Sequence, residues 1–173
     1  GTARLVDLLG GGAATAQAVV ETWARTRRSF RLAAPIGVGA GDVPVEIDLR
    51  RDGPHALLAG TTGSGKSEFL QSLVVAFAAK IPPDLLNFVL IDYKGGSAFR
   101  EVAALPHVVG VVTDLDERLS ARALTSLRAE MRRREHLLAT TTPPATNIIE
   151  YQSQPREVPL ANVLIIIDEF HRL

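Results

Sequence analysis

The chain has 173 residues, the length of about one domain, and its 46% apolar and 22% charged residues exclude wholesale disorder. Nineteen basic residues balance 19 acidic ones, which excludes a strongly basic nucleic-acid binder of the histone kind but not a local basic patch. The lack of cysteine excludes disulfides, thiolate zinc clusters and thiol catalysis, and says nothing of redox compartment.

In chain order, residues 1–30 read as two short helices. Leu5, Val6, Leu8 and Leu9 form an apolar cluster that stops at Gly10-Gly11-Gly12. Ala13–Ala24 carries Val19, Val20 and Trp23 at helical spacing, followed by Arg25, Arg27, Arg28 and Arg31. That basic stretch suits a solvated helix end, where cations meet the dipole, or a phosphate or partner contact. Pro35–Asp42 reads as a glycine-rich loop. Val45–Leu49 alternates as a half-buried strand does. Ala56–Ala59 is an unbroken apolar run and reads as a strand buried on both faces of a parallel sheet. Lys66–Ala79 follows as a helix with Leu70, Leu73, Val74 and Phe77 on its core face, ended by Pro82-Pro83.

Asn87–Asp92, Val108–Val112 and Val163–Ile167 are three more apolar strands. A long helix is expected to open at Asp114, with Glu117 completing an analogue of a capping box and Leu124, Leu127, Met131 and Leu138 as its core stripe. Its outer face carries Arg118, Arg122, Arg128, Arg132, Arg133 and Arg134 among Glu117, Glu130 and Glu135. The interleaved acids and the lack of aromatic neighbours suit a solvated or subunit-facing surface better than a nucleic-acid contact. Asn147–Gln152 is a candidate short helix. Strands alternating with helices give an α/β fold with a mainly parallel sheet, preceded by a helical lead-in over residues 1–30. The longest apolar runs, Leu73–Ala79 and Val163–Ile167, fall short of the ~18 residues a membrane span needs, and the first residues hold no secretory segment. The chain reads as a soluble, intracellular domain, with membrane segments of a longer parent left open.

Gly60-Thr61-Thr62-Gly63-Ser64-Gly65-Lys66-Ser67 fits the pattern G-x-x-x-x-G-K-[ST]. A triphosphate is a dense anion, and backbone N–H groups can wrap it only where side chains are missing, hence Gly60, Gly63 and Gly65. The helix that follows adds its positive end. Lys66 is placed to reach the β- and γ-phosphates, and the Ser67 hydroxyl to meet Mg²⁺. The acidic partner is expected at a strand tip. Phe88–Asp92 and Val163–Asp168 both end in Asp, but only Asp168 is followed at once by an acid. Asp168 is therefore the candidate for the metal's water shell, and Glu169 for orienting or deprotonating the attacking water. Asp92 and Lys94 sit at the other polar tip and either line the nucleotide edge or belong to a solvated turn. His55, His107, His136 and His171 have no ligand-like spacing and read as structural or surface residues.

These residues together resemble the FtsK/SpoIIIE ATPase domain, a RecA-like P-loop (Walker A and Walker B) fold. The resemblance rests on Gly60–Ser67, Asp92–Phe99, Leu105-Pro106-His107, Val112–Leu115, Glu130–Arg134 and Ile166–Phe170, over about residues 30–173. The Asp-Tyr-Lys-Gly-Gly tip looks more like the type VII secretion motors (EccC/EssC-like) than the DNA pumps, which more usually have Pro after that Asp. The resemblance implies ATP and Mg²⁺ as cofactors and a ring, a hexamer, of subunits. It implies secreted protein substrates and membrane secretion components as partners, and a cytoplasmic domain of a membrane-associated parent. Two alternatives stay open: a double-stranded DNA translocase, and a nucleotide-binding assembly module without useful turnover. The family domain continues past the Asp-Glu pair with further strands, a polar sensor and an arginine acting on the neighbouring subunit, so residues 31–173 read as an incomplete ATPase domain. An arginine supplied in trans is worth roughly 10³–10⁵ in rate. The piece alone is therefore expected to bind Mg-ATP and turn over slowly.

Overall fold

The computed structural model describes residues 4–10, 15–93, 98–113 and 117–169, without the side chains of 117–120. The expected helix opening at Asp114 and Glu117, together with Lys94, Arg118 and His171, lies outside what is described. The elements are α1 (Leu5–Leu8), α2 (Ala16–Arg28), β1 (Ala33–Val38), β2 (Pro44–Asp48), α3 (Lys66–Lys80) and β3 (Leu86–Asp92). They continue with β4 (Val108–Val112), α4 (Glu117–Thr140), α5 (Ile148–Gln152) and β5 (Asn162–Asp168).

The centre is a parallel sheet in the order β4-β3-β5. β3 and β5 run in unbroken register from Leu86 beside Asn162 to Asp92 beside Asp168. The two aspartates therefore end adjacent strands at the same level. On one face of the sheet, α3 packs Val74 and Phe77 into a core with Ile81, Leu86, Phe88, Leu90, Phe99 and Ile166. Burying each such side chain is worth about 1.5–3 kcal/mol.

Where the structure departs from the sequence reading, packing explains the difference. Residues 35–38 belong to a strand rather than a loop: β1 pairs antiparallel with β2, with a register irregularity between Pro35 and Gly37. Ala56–Ala59 forms no strand. Its residues are exposed, Leu57 to 85%. Among the described residues the segment pairs with no strand. The strands are also less symmetrically buried than their apolar sequences imply. Val109, Val111 and Ile165 are exposed, so α3 closes one face and the other stays partly open.

The α4 stripe likewise is not a closed core. Leu124 and Met131 are exposed. Leu127 and Met131 instead border a groove of about 420 Å³ along β5, opposite Leu49, Leu86, Leu164 and Ile165. The end of α4 packs Leu137 and Leu138 against Ala145, Tyr151 and Leu160. Of its arginines, Arg134 hooks the carbonyl of Ala161 at 2.7 Å, whereas Arg122, Arg128, Arg132 and Arg133 are exposed.

Helix α2 serves the far end of α3. The last carbonyls of a helix have no partner within it. Trp23 Nε1 donates to the Ala78 carbonyl at 2.9 Å, and Thr26 Oγ1 to that of Lys80 at 2.7 Å. A bidentate Arg27–Asp84 pair adds a further tie. Buried His107 meets the indole of Trp23 edge-on, with ring centroids 5.5 Å apart. Its Nε2 donates to the Ile81 carbonyl at 2.7 Å, which fixes the tautomer and leaves Nδ1 buried without a partner. Burial holds the His107 pKa below its ordinary 6.5, outweighing the Ile81 hydrogen bond and the more distant Asp84 charge that favour protonation. The unfolded chain therefore takes up this proton first as pH falls. Stability linked to His107 is complete above about pH 6.5 and declines below it. The thermal unfolding midpoint should fall between pH 7 and pH 5, and the fall should be smaller in His107→Gln, measured by circular dichroism across that range.

Candidate functional site

The phosphate loop lies exposed between residue 59 and α3. Gly65 caps the start of α3 in the left-handed region, at φ +85°, and Gly63 has φ +78°. A Cβ at Gly60 would fall 2.6 Å from Ser64 Oγ, so that hydroxyl would have to rotate away, whereas the positive φ of Gly63 and Gly65 itself favours glycine. Ser64 N donates to the Thr61 carbonyl at 3.2 Å and closes the turn. Lys66 Nζ curls back and donates to the carbonyls of Gly60 and Thr61 at 2.8 and 3.0 Å. Thr61 and Thr62 are exposed on the rim of the loop.

Ser67 is the first residue to leave the loop's own network. Its hydroxyl donates to Asp168 Oδ2 at 2.9 Å, across 101 residues of chain. Asp168 is buried at the tip of β5, and its Oδ1 accepts the N–H of Glu169 at 3.0 Å. Glu169 has φ +60°, unusual for a residue with a side chain. Such strain persists only where surrounding structure holds it, and it turns the chain away from the strand immediately after Asp168.

Asp92 is buried beside Asp168 in the strand-tip row, where its Oδ2 accepts the N–H of Ala98 at 2.9 Å. The structure therefore brings the phosphate loop, Ser67, Asp168, Glu169 and Asp92 to one end of the sheet, on two strand tips and one helix start. His107 sits at the opposite end of α3, and His55 and His136 are exposed. No group of three or more His, Cys, Asp or Glu side chains suited to a metal occurs among the described residues. Gln71 was not singled out by motif. Its signal was positional: four residues after Ser67, it shares that residue's helix face. Its Nε2 donates to the Ala98 carbonyl at 2.7 Å.

The residues fit a magnesium-bound nucleoside triphosphate. The left-handed turns at Gly63 and Gly65 and the opening of a 15-residue helix suit phosphate oxygens. The hydroxyl and carboxylate oxygens of Ser67 and Asp168, 2.9 Å apart, suit a hard divalent cation.

The sequence pattern of the FtsK/SpoIIIE family matches residues 17–170. The chain belongs to the FtsK/SpoIIIE family. Within that family it is 37% identical over 161 residues to the ESX secretion system protein EccC of Geobacillus thermodenitrificans, covering 90% of this chain and 11% of that protein. It is 38% identical over 161 residues to the type VII secretion system protein EssC of Staphylococcus aureus, with the same coverage. The chain thus spans about a tenth of the length of these curated relatives. The fold matches the cytoplasmic domain of the type VII secretion ATPase EccC of Thermomonospora curvata at a TM-score of 0.83 and 33% identity, covering 98% of this chain and 21% of that one. The α/β architecture with its parallel sheet is therefore the FtsK-type P-loop ATPase fold. No described helix is long and apolar enough to cross a membrane.

The left-handed position of Gly65 gives a direct test. A Cβ there costs about 1–2 kcal/mol. Gly65→Ala should lower the denaturant midpoint and weaken nucleotide binding together, measured by chemical unfolding and by titration with a fluorescent ATP analogue.

Proposed function

We propose that this chain is the nucleotide-binding part of an ATP-driven motor that energises protein export through a type VII secretion system. The observation that carries the reading is the Ser67–Asp168 hydrogen bond, which joins the start of the phosphate-loop helix to the tip of the acid-bearing strand. The names borne by its relatives, EccC and EssC, support secretion over DNA translocation.

In this reading Gly60, Thr61, Thr62, Gly63, Ser64 and Gly65 hold the phosphates through backbone N–H groups, and Lys66 exchanges its two carbonyl partners for phosphate oxygens. Ser67 ligates Mg²⁺ directly, and Asp168 does so through water. When bound, Mg²⁺ offsets the charge of the phosphates. Glu169 takes the proton of the attacking water, and Asp92 lines the same edge. Residues 1–30 form a lead-in and 31–173 belong to the ATPase domain. The motor works as a ring, a hexamer, in the cytoplasm, with secreted proteins as substrates and membrane components of the secretion system as partners.

Lys66→Ala removes charge-assisted hydrogen bonds worth about 1.5–3 kcal/mol each and should weaken ATP binding roughly tenfold or more. Glu169→Gln should bind ATP like the wild type while turnover drops about 10²–10⁴-fold. Turnover should not change on adding duplex DNA. ATP titrations and a phosphate-release assay, with and without duplex, measure all three. A Glu169→Gln variant as active as wild type would leave only a nucleotide-held assembly module, and stimulation by duplex would move the chain to the DNA translocases.

A further inference from the structure

Helices α2 and α5 open on side-chain caps. Thr15 Oγ1 accepts the N–H of Ala18 at 3.2 Å, and Asn147 Oδ1 accepts that of Glu150 at 2.9 Å. At α5 an acid joins in. Glu150, three residues after the cap, accepts the N–H and the hydroxyl of Thr146 through Oε2, each at 2.7 Å. A small polar cap with an acid three residues on answers the N–H groups that a first helical turn leaves without partners.

Helix α3 has only the acidic half of this arrangement. Its cap is Gly65, which supplies no side-chain hydrogen bond. Glu68 stands three residues after Gly65, as Glu150 stands to Asn147, and is the acidic residue of the first turn. Helical side chains lean toward the N-terminus of their helix. Glu68 is exposed, and its Oε2 comes within 4.0 Å of the point a Cβ on Gly65 would occupy. Lys66, two residues earlier, gives its ammonium protons to the carbonyls of Gly60 and Thr61. The positive end of α3 thus has a carboxylate of its own beside it. That charge favours the helix start while the loop is empty, and it opposes a phosphate chain that arrives there.

We propose that Glu68 is a resident anion of the phosphate site: it stabilises the empty junction of loop and helix and lowers the affinity of that junction for nucleotide. The proposal rests on the nucleotide-binding reading above. Two variants test it. Glu68→Gln removes the charge at nearly the same shape, and Glu68→Asp keeps it. The probes are a fluorescent ATP analogue with Mg²⁺, titrated at low salt and at about 1 M salt, and the thermal midpoint of the protein without nucleotide.

Glu68→Gln should bind the analogue about two- to fivefold more tightly at low salt, the scale of one carboxylate at a helix start. At about 1 M salt, where the screening length is about 3 Å, the gain over the wild type should vanish. The midpoint of the empty variant should fall by about 1–4 °C. Glu68→Asp should match the wild type in both measurements. Tighter binding by a less stable protein is a pairing that a merely structural residue does not produce. Unchanged binding by Glu68→Gln overturns the proposal. So does weaker binding, which would mean that the carboxylate takes a hydrogen bond from the ligand. A gain that survives high salt overturns it too, as does an unchanged midpoint. Failure of the underlying reading is distinct and takes the proposal with it: the wild type would then bind no analogue, or would match Lys66→Ala.

Discussion

Helix α3 is held at both ends by groups from distant parts of the chain, and the rest of the arrangement follows from that. At its start, Ser67 reaches the carboxylate of Asp168. At its end, Trp23, Thr26 and His107 satisfy the carbonyls of Ala78, Lys80 and Ile81. Between these ends Val74 and Phe77 are fully buried against β3. A helix so fixed cannot slide along the sheet. The phosphate loop, which has little packing of its own, takes its position from the helix it opens into.

The phosphate loop, the helix behind it and the acid at the end of β5 were legible in the sequence because each is a local pattern. Glycine spacing, 3.6-residue periodicity and an apolar run ending in Asp168-Glu169 need no tertiary knowledge. The pairing of Asp92 with Asp168 was not legible, because register between strands 76 residues apart in sequence depends on which side chains fill the space beneath them. The β1 strand was missed for a different reason. Pro35, Gly37 and Gly39 mark a loop by propensity, yet the segment gains a partner in β2 that propensity cannot see.

The apolar runs show the opposite error. Ala56–Ala59, β4 and the α4 stripe all promise burial, and the structure only partly delivers it. Hydrophobic sequence states a demand for cover, and the supply depends on which neighbours are near enough. Leu127 and Met131 line a groove rather than a closed core because nothing among the described residues fills the space between α4 and β5. His107 runs the other way. From sequence it read as a structural or surface residue, and its burial against Trp23 and Phe88 makes it structural, tying the lead-in helix to the sheet.

The two carbonyls that hold Lys66 give the loop a built-in competitor for its own charge. A ligand gains from this lysine only the difference between its own contacts and those it displaces. A small anion such as sulfate, touching one or two loop N–H groups, recovers little of that difference. A polyphosphate long enough to reach the helix start and the lysine at once recovers all of it. The fold-back therefore holds the one charge of the loop against its own backbone until a ligand takes over those contacts.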